Sequence, residues 1–200
     1  MFKFLGSFIV TVIFSSEVFA NPVVTQLSFP DKTSESTLMF ALNQRYSCKN
    51  FDTKELDEKT LSTLLWAAYG SNRSDGKRTI PTALNEQDLE IFVAKKDGVF
   101  KYDGKNHTLI QHSQKNILPL FQTQEYMQNV PVVLIYTGKN KEYASMHAGS
   151  AYQNVELFTA AHHLGSIVRG HFDKEAVAKE LSLSEDNHVI ISQAVGYEKE

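Results

Sequence analysis

Three short polar stretches hold the residue types that could do chemistry. In RYSCK, Arg45, Ser47 and Lys49 alternate. Alternate side chains of an extended segment point the same way, so both cations and the hydroxyl face one spot. That set suits a phosphate: arginine offers a planar fork, serine a hydroxyl and lysine a mobile charge. A solvated basic rim has the same spacing. The second stretch, KRTIPTALNEQ at residues 77–87, runs straight into the apolar DLEIFVA. Its Asn85 and Gln87 share one side of an extended chain. Side-chain amides carry donors and acceptors together, so they can read the edge of a heterocycle that alternates the two. The third stretch is Arg169-Gly170, directly after the apolar SIV. Glycine there lets backbone approach a ring with no Cβ in the way.

Together the three describe a ligand with a phosphate at one end and a hydrogen-bonding ring at the other. Flavin mononucleotide (FMN) fits that description. Other chemistries are less well provided for. The seven histidines include no HExxH pair, and a single cysteine gives no zinc spacing, so no metal site is expected. His162 and His163 are adjacent and point about 100° apart on a helix. There is no GxSxG elbow. Cys48 lies near Arg45 and Lys49, which would favour a thiolate, but it has no signalled base and reads as buried.

The elements that must position these residues follow from periodicity and punctuation. Residues 21–32 read as an extended lead-in. Ser34 or Ser36 is the expected cap of a helix through LMFALNQ. Asp57 caps the next helix, in which Leu61, Leu64, Leu65 and Ala68 recur at helical spacing up to a stop at Gly70. LEIFVAKK, VFKYD and HTLIQHS read as strands joined by Asp-Gly turns. A weak helix is expected over residues 116–127, and VVLIYTG is a buried strand. The longest helix is expected over residues 142–164, ended by Gly165. A short helix over residues 173–183 precedes the closing strand HVIISQAVGY. The pattern predicts an α+β fold, a mixed and largely antiparallel sheet with helices packed on it. In the long helix, AGSA at residues 148–151 strips bulk from a turn. That suits close approach of a second backbone or a flat ligand, and equally suits tight helix packing.

Residues 1–20 read as a cleavable signal peptide. A basic start leads into an apolar run too short to span a bilayer, then VFA. The expectation is a periplasmic or secreted protein, with residues 21–200 forming a single domain. The net charge of −3 carries no nucleic-acid footprint. One cysteine forms no internal disulfide, so an exported chain must rely on packing or on an obligate partner.

The motifs, taken in order, resemble the nitroreductase superfamily of flavin enzymes. RYSCKNF resembles that family's Arg-x-Ser-x-Lys/Arg-x-Phe opening. RTIPTALNEQDLEIFVA resembles its Pro-Ser-x-x-Asn-x-Gln segment running into a core strand. AGSAYQNVELFTAAHHLGSIVRG resembles its long helix, turn and strand, and AVGYEK its Val-Gly-Tyr-Pro ending. The likeness is to compact, exported-type members near the azoline-dehydrogenase-like branch. The Lys and Tyr pair of the azoline dehydrogenases has no counterpart in TALNEQ.

The resemblance implies a nitroreductase-like FMN fold, an obligate homodimer and FMN sites at the interface. Arg45 and Ser47 would hold the phosphate, with Lys199 reaching it from the C-terminal tail. Lys49 and Asn85 would meet the pyrimidine, alongside Thr82 and Gln87 of the same motif. The backbone of Arg169 and Gly170 would approach flavin N5 and O4. Thr82 stands where the family often has Ser, and Glu198 where it has Pro. The implied activity is two-electron ping-pong transfer from a reduced donor to an organic acceptor such as a nitroaromatic or quinone. No protein group acts as a catalytic nucleophile, because flavin N5 carries the chemistry. Export would set free NAD(P)H aside as donor in favour of a periplasmic or membrane partner. A flavin store or sensor without turnover is the alternative, and a non-flavin interaction protein on the same fold is a third class.

Overall fold

The computed structural model describes residues 22–33 and 36–199. The signal-peptide segment and Ser34 lie outside the described residues. Seven strands form one sheet in the order β1-β4-β3-β2-β5-β7-β6. They are β1 Val24–Gln26, β2 Glu90–Lys95, β3 Gly98–Asp103, β4 Thr108–Ser113, β5 Val132–Gly138, β6 Leu164–Arg169 and β7 His188–Tyr197. Every strand pairing among the described residues is antiparallel. The helices are α1 Leu38–Gln44, α2 Glu58–Tyr69, α3 Lys141–Ala161 and α4 Lys174–Glu180.

The central strands are buried on both faces, which is why β5 reads as an unbroken apolar run. Ile91, Val93, Leu134 and Tyr136 point to one face, where α2 packs through Leu61, Leu64, Leu65 and Ala68 and α3 through Ala148, Ala151 and Val155. Phe92, Ala94, Val133 and Ile135 point to the other. There they meet Cys48, Phe51, Phe121, Met127, Val177 and Leu181.

Several caps decide where elements begin. The Asp57 carboxylate accepts from Thr60 N at 2.9 Å and starts α2. Asn140 does the same for α3, accepting from Glu142 N and Tyr143 N. The cap of α1 is Thr37, which accepts from Phe40 N, and not a serine. Gly165 is not the stop of the long helix. That helix ends at Ala161, the left-handed turn falls on His163 (φ 55°), and Gly165 lies inside β6. A Cβ at Gly165 would stand 2.6 Å from Cys48 Sγ, so the missing side chain is what lets the RYSCKNF segment cross the strand. Cys48 N donates to Ser166 O there, at 2.9 Å.

The lead-in, residues 22–33, is a strap. It pairs with β4 through β1. Ser28 O then accepts from Ser62 Oγ at 2.6 Å and lies 3.1 Å from His107 Nε2. Tyr102 Oη is 2.8 Å from His107 Nδ1. With the phenol donating to Nδ1, the imidazole proton sits on Nε2 and points at the strap.

Candidate functional site

Residues 45–51 leave the end of α1 and cross the edge of the sheet. Cys48 and Phe51 point inward, and Cys48 is 1 % exposed; burial pushes its thiol pKa up, so it is not a poised nucleophile. Arg45 is half-buried and its Nη1 lies 3.0 Å from Glu156 Oε2 on α3. Ser47 and Lys49 are exposed. The C-terminal tail is pinned beside them. Phe51 bridges Glu198, Lys199 N donates to Asn50 O at 3.0 Å, and Asn50 Nδ2 donates to Lys199 O at 2.8 Å. A hydrogen bond from the Tyr46 hydroxyl to the Glu198 carboxylate, with burial, raises the tyrosine pKa. The non-proline at position 198 therefore still leaves Lys199 docked next to Lys49.

Arg169 departs from its expected role as backbone alone. Its guanidinium is buried and holds the opposite loop in place. Nη1 donates to Phe121 O at 2.8 Å, and Nη2 reaches Thr123 Oγ1, Gln124 Oε1 and His171 O. These bonds replace the continuous helix expected over residues 116–127 with two short 3-10 turns, Leu118–Phe121 and Glu125–Met127. The second turn presents Tyr126. Its ring centroid lies 5.9 Å from Lys49 Nζ and 5.5 Å from Arg169 Cζ. Tyr126 thus ties the 45–51 segment to the end of β6, in a groove of about 340 Å³ lined by Lys49, Asn50, Phe51, Glu125, Tyr126 and Asn129. Nothing lies within 4 Å of where a Gly170 Cβ would be, so the backbone there is open to approach.

The TALNEQ segment is not extended. Ala83–Asn85 forms a 3-10 turn, and Leu84, Asn85 and Gln87 are left-handed at φ 51°, 58° and 45°. Asparagine tolerates that region; leucine and glutamine are held there at a cost of roughly 1–2 kcal/mol each. The Gln87 amide is bonded within the loop. Its Oε1 accepts from Arg78 Nε at 2.9 Å, and its Nε2 lies 3.4 Å from Gly76 O and 3.2 Å from Asn85 Oδ1. With Oδ1 taken, the exposed Asn85 offers its NH₂ outward. Thr82 makes no side-chain cap bond to this turn. Buried atoms without a partner among the described residues gather behind the loop: Tyr69 Oη, Arg78 Nη1, Thr79 Oγ1 and Asp88 Oδ2.

One chain does not unite the two halves. Arg45 is tied to Glu156, and the Asn85 loop to His147, whose Nε2 accepts from Ala83 N at 2.7 Å. Nine residues of helix separate these anchors, about 14 Å along α3 and half a turn around it. Large apolar side chains are exposed beside each half: Leu38, Met39, Leu42 and Tyr46 next to Arg45, and Leu84 and Met146 next to Asn85. Tyr126, His147 and Asp88 are the residues that spacing did not single out.

The sequence model of the nitroreductase family matches residues 42–197. The chain belongs to the nitroreductase family. A crystal structure from Ralstonia eutropha JMP134, provisionally named a nitroreductase, is 32 % identical with a TM-score of 0.84, covering 88 % of this chain and 90 % of that one. A Methanocaldococcus jannaschii protein, also provisionally a nitroreductase, is 27 % identical over 181 residues, 80 % of this chain and 91 % of its own. The Escherichia coli microcin synthetase McbBCD complex shares the fold, with a TM-score of 0.68 at 20 % identity over 97 % of this chain and 85 % of that one. Family membership makes the chain a flavin-type oxidoreductase in general terms.

Proposed function

We propose that this nitroreductase is an FMN-dependent oxidoreductase that works as a homodimer, passing two electrons from a reduced donor to an organic acceptor such as a nitroaromatic or quinone. The observation that carries the reading is the division of the site. One edge of the chain gathers the cations Arg45, Lys49 and Lys199 with the Ser47 hydroxyl. The Asn85 amide donors stand at the far end of α3, and exposed apolar side chains flank both. A second copy that covers those apolar residues would complete the site with its own Asn85 loop.

The residues fit the group. Arg45, Ser47 and Lys199 suit a phosphate, and Lys49 and Asn85 Nδ2 suit the polar edge of a ring. The open backbone at Gly170 suits a flat ring. Bound FMN would supply two-electron chemistry at its N5. The protein's part is placement and charge. Lys49 would favour the reduced, anionic form by Coulomb attraction, an effect of up to about 4 kcal/mol at 4 Å and an effective dielectric near 20. Tyr126 stands near Lys49 and forms part of the groove wall. The open backbone at Gly170 would leave room for donor and acceptor in turn.

Reconstitution with FMN tests the reading. The expected product is a yellow dimer with one flavin per chain that is bleached by a donor and recoloured by a quinone or nitroaromatic. A colourless protein after reconstitution would refute it. A yellow protein that never turns over would favour a flavin store instead. Anaerobic titration with NADH and NADPH decides the donor. If residues 1–20 direct export, a periplasmic or membrane reductant is expected and neither nucleotide should bleach the flavin.

A further inference from the structure

The imidazole of His147 is 2 % exposed, at the point where α3 passes beneath the 83–87 loop. Its Nε2 lies 2.7 Å from Ala83 N and its Nδ1 lies 2.8 Å from Asp88 Oδ1. A backbone N–H can only donate, so Nε2 must carry a lone pair. The proton therefore sits on Nδ1 and is given to the carboxylate. This is the opposite tautomer to that of His107, and geometry alone dictates it.

Ala83 and Asp88 bracket the left-handed residues Leu84, Asn85 and Gln87. One side chain thus grips the loop at both ends. Backbone strain of this kind persists only where the surroundings over-determine it. We propose that His147, in its neutral Nδ1–H form with Asp88, is the positioning residue that latches the 83–87 loop and so aims Asn85 at the ligand. This rests on the flavin reading given above. The other titratable or charged groups near the imidazole are few. Tyr143 stands one turn back on α3, with ring centroids 6.4 Å apart. Tyr69 of α2 lies within electrostatic reach of both Asp88 and Arg78. A second proton on the ring would set Nε2–H against Ala83 N–H, so the latch opens when His147 becomes cationic.

The test begins on the parent chain without flavin. Long-range ¹H–¹⁵N correlation of the histidine side chains is expected to show His147 protonated at Nδ1 and bare at Nε2; a proton at Nε2 overturns the proposal. The Ala83 amide should exchange slowly and lose protection as His147 gains its second proton. Protection unchanged across that titration overturns it as well. His147→Leu should speed Ala83 exchange and weaken FMN binding, each about tenfold, the worth of one buried hydrogen bond. His147→Gln keeps an acceptor and a donor at similar reach and should restore most of both. Equal protection in parent and leucine variant, or no recovery with glutamine, counts against the latch. Should the leucine variant fail to fold, the tautomer and titration arms on the parent still decide. A parent with the expected tautomer and a protected Ala83 that binds no FMN refutes the flavin reading and upholds the latch.

Discussion

At the residue scale, the phosphate assignment of Arg45 is entangled with its partner. Glu156 is nearly buried, and its Oε2 takes Arg45 Nη1. Arg45→Ala is expected to weaken FMN binding and also to cost about 1–3 kcal/mol of stability, because a carboxylate is left unpaired. Adding Glu156→Gln should recover the stability and not the flavin. Measured by denaturant melts and fluorescence titration, recovery of both would remove Arg45 from the site. The exposure of Ser47 and Lys49 could be read from spacing because outward side chains need nothing but their own alternation; Arg45 turns to Glu156. Gln87 could not be read that way. Its amide turns inward only because Arg78, nine positions back, offers Nε to it. His147 and Asp88 left no signal in spacing, since their partnership spans 59 positions.

At the element scale, Arg169 makes the sharpest prediction. Its fork serves Phe121, Thr123, Gln124 and His171 together. Lysine has no such planar fork, so Arg169→Lys should free residues 118–127 to early protease cleavage while the sheet melts nearly as before. A loop as resistant as the parent's would show that the 3-10 turns stand alone. The strap answers to pH. Burial holds the pKa of His107 below its ordinary 6.5. The unfolded chain then binds the proton more readily, so this contribution is complete above about pH 6.5 and is lost as pH falls through the folded value. His107→Gln should flatten that part of the stability profile between pH 7 and 5; an unchanged slope would assign it elsewhere. Elements with local punctuation were legible, as at Asp57 and Gly70. The end of α3 was not, because a histidine took the left-handed turn that glycine usually takes. The 116–127 segment failed as a helix for a tertiary reason, the pull of Arg169 on its carbonyls and side chains.

At the scale of the whole molecule, the exposed apolar residues decide. Met39 and Leu42 on α1 are exposed among the described residues. Met39→Glu with Leu42→Glu is expected to give a folded monomer that does not retain FMN, seen by sedimentation and by colour. A yellow dimer of the double variant would place the interface elsewhere. Gly149→Leu probes the same surface from α3. Its Cβ would meet only Tyr152 ring atoms at 3.7 to 4.0 Å, ordinary contact, so folding should survive and any loss of assembly must arise between chains. The α+β class and the antiparallel order of the hairpin strands were readable from periodicity. The anchoring of the Arg45 and Asn85 segments at different points of α3 was not, because it depends on which faces of one helix the distant segments reach.

The crossing of β6 by residues 45–51 seals the chain's only thiol under a glycine. Alkylation of that sulfur therefore needs the crossing to lift, so its rate clocks the breathing of the cationic edge against a background free of other thiols. Ligand that truly seats on Ser47 and Lys49 should slow the clock in proportion to its occupancy.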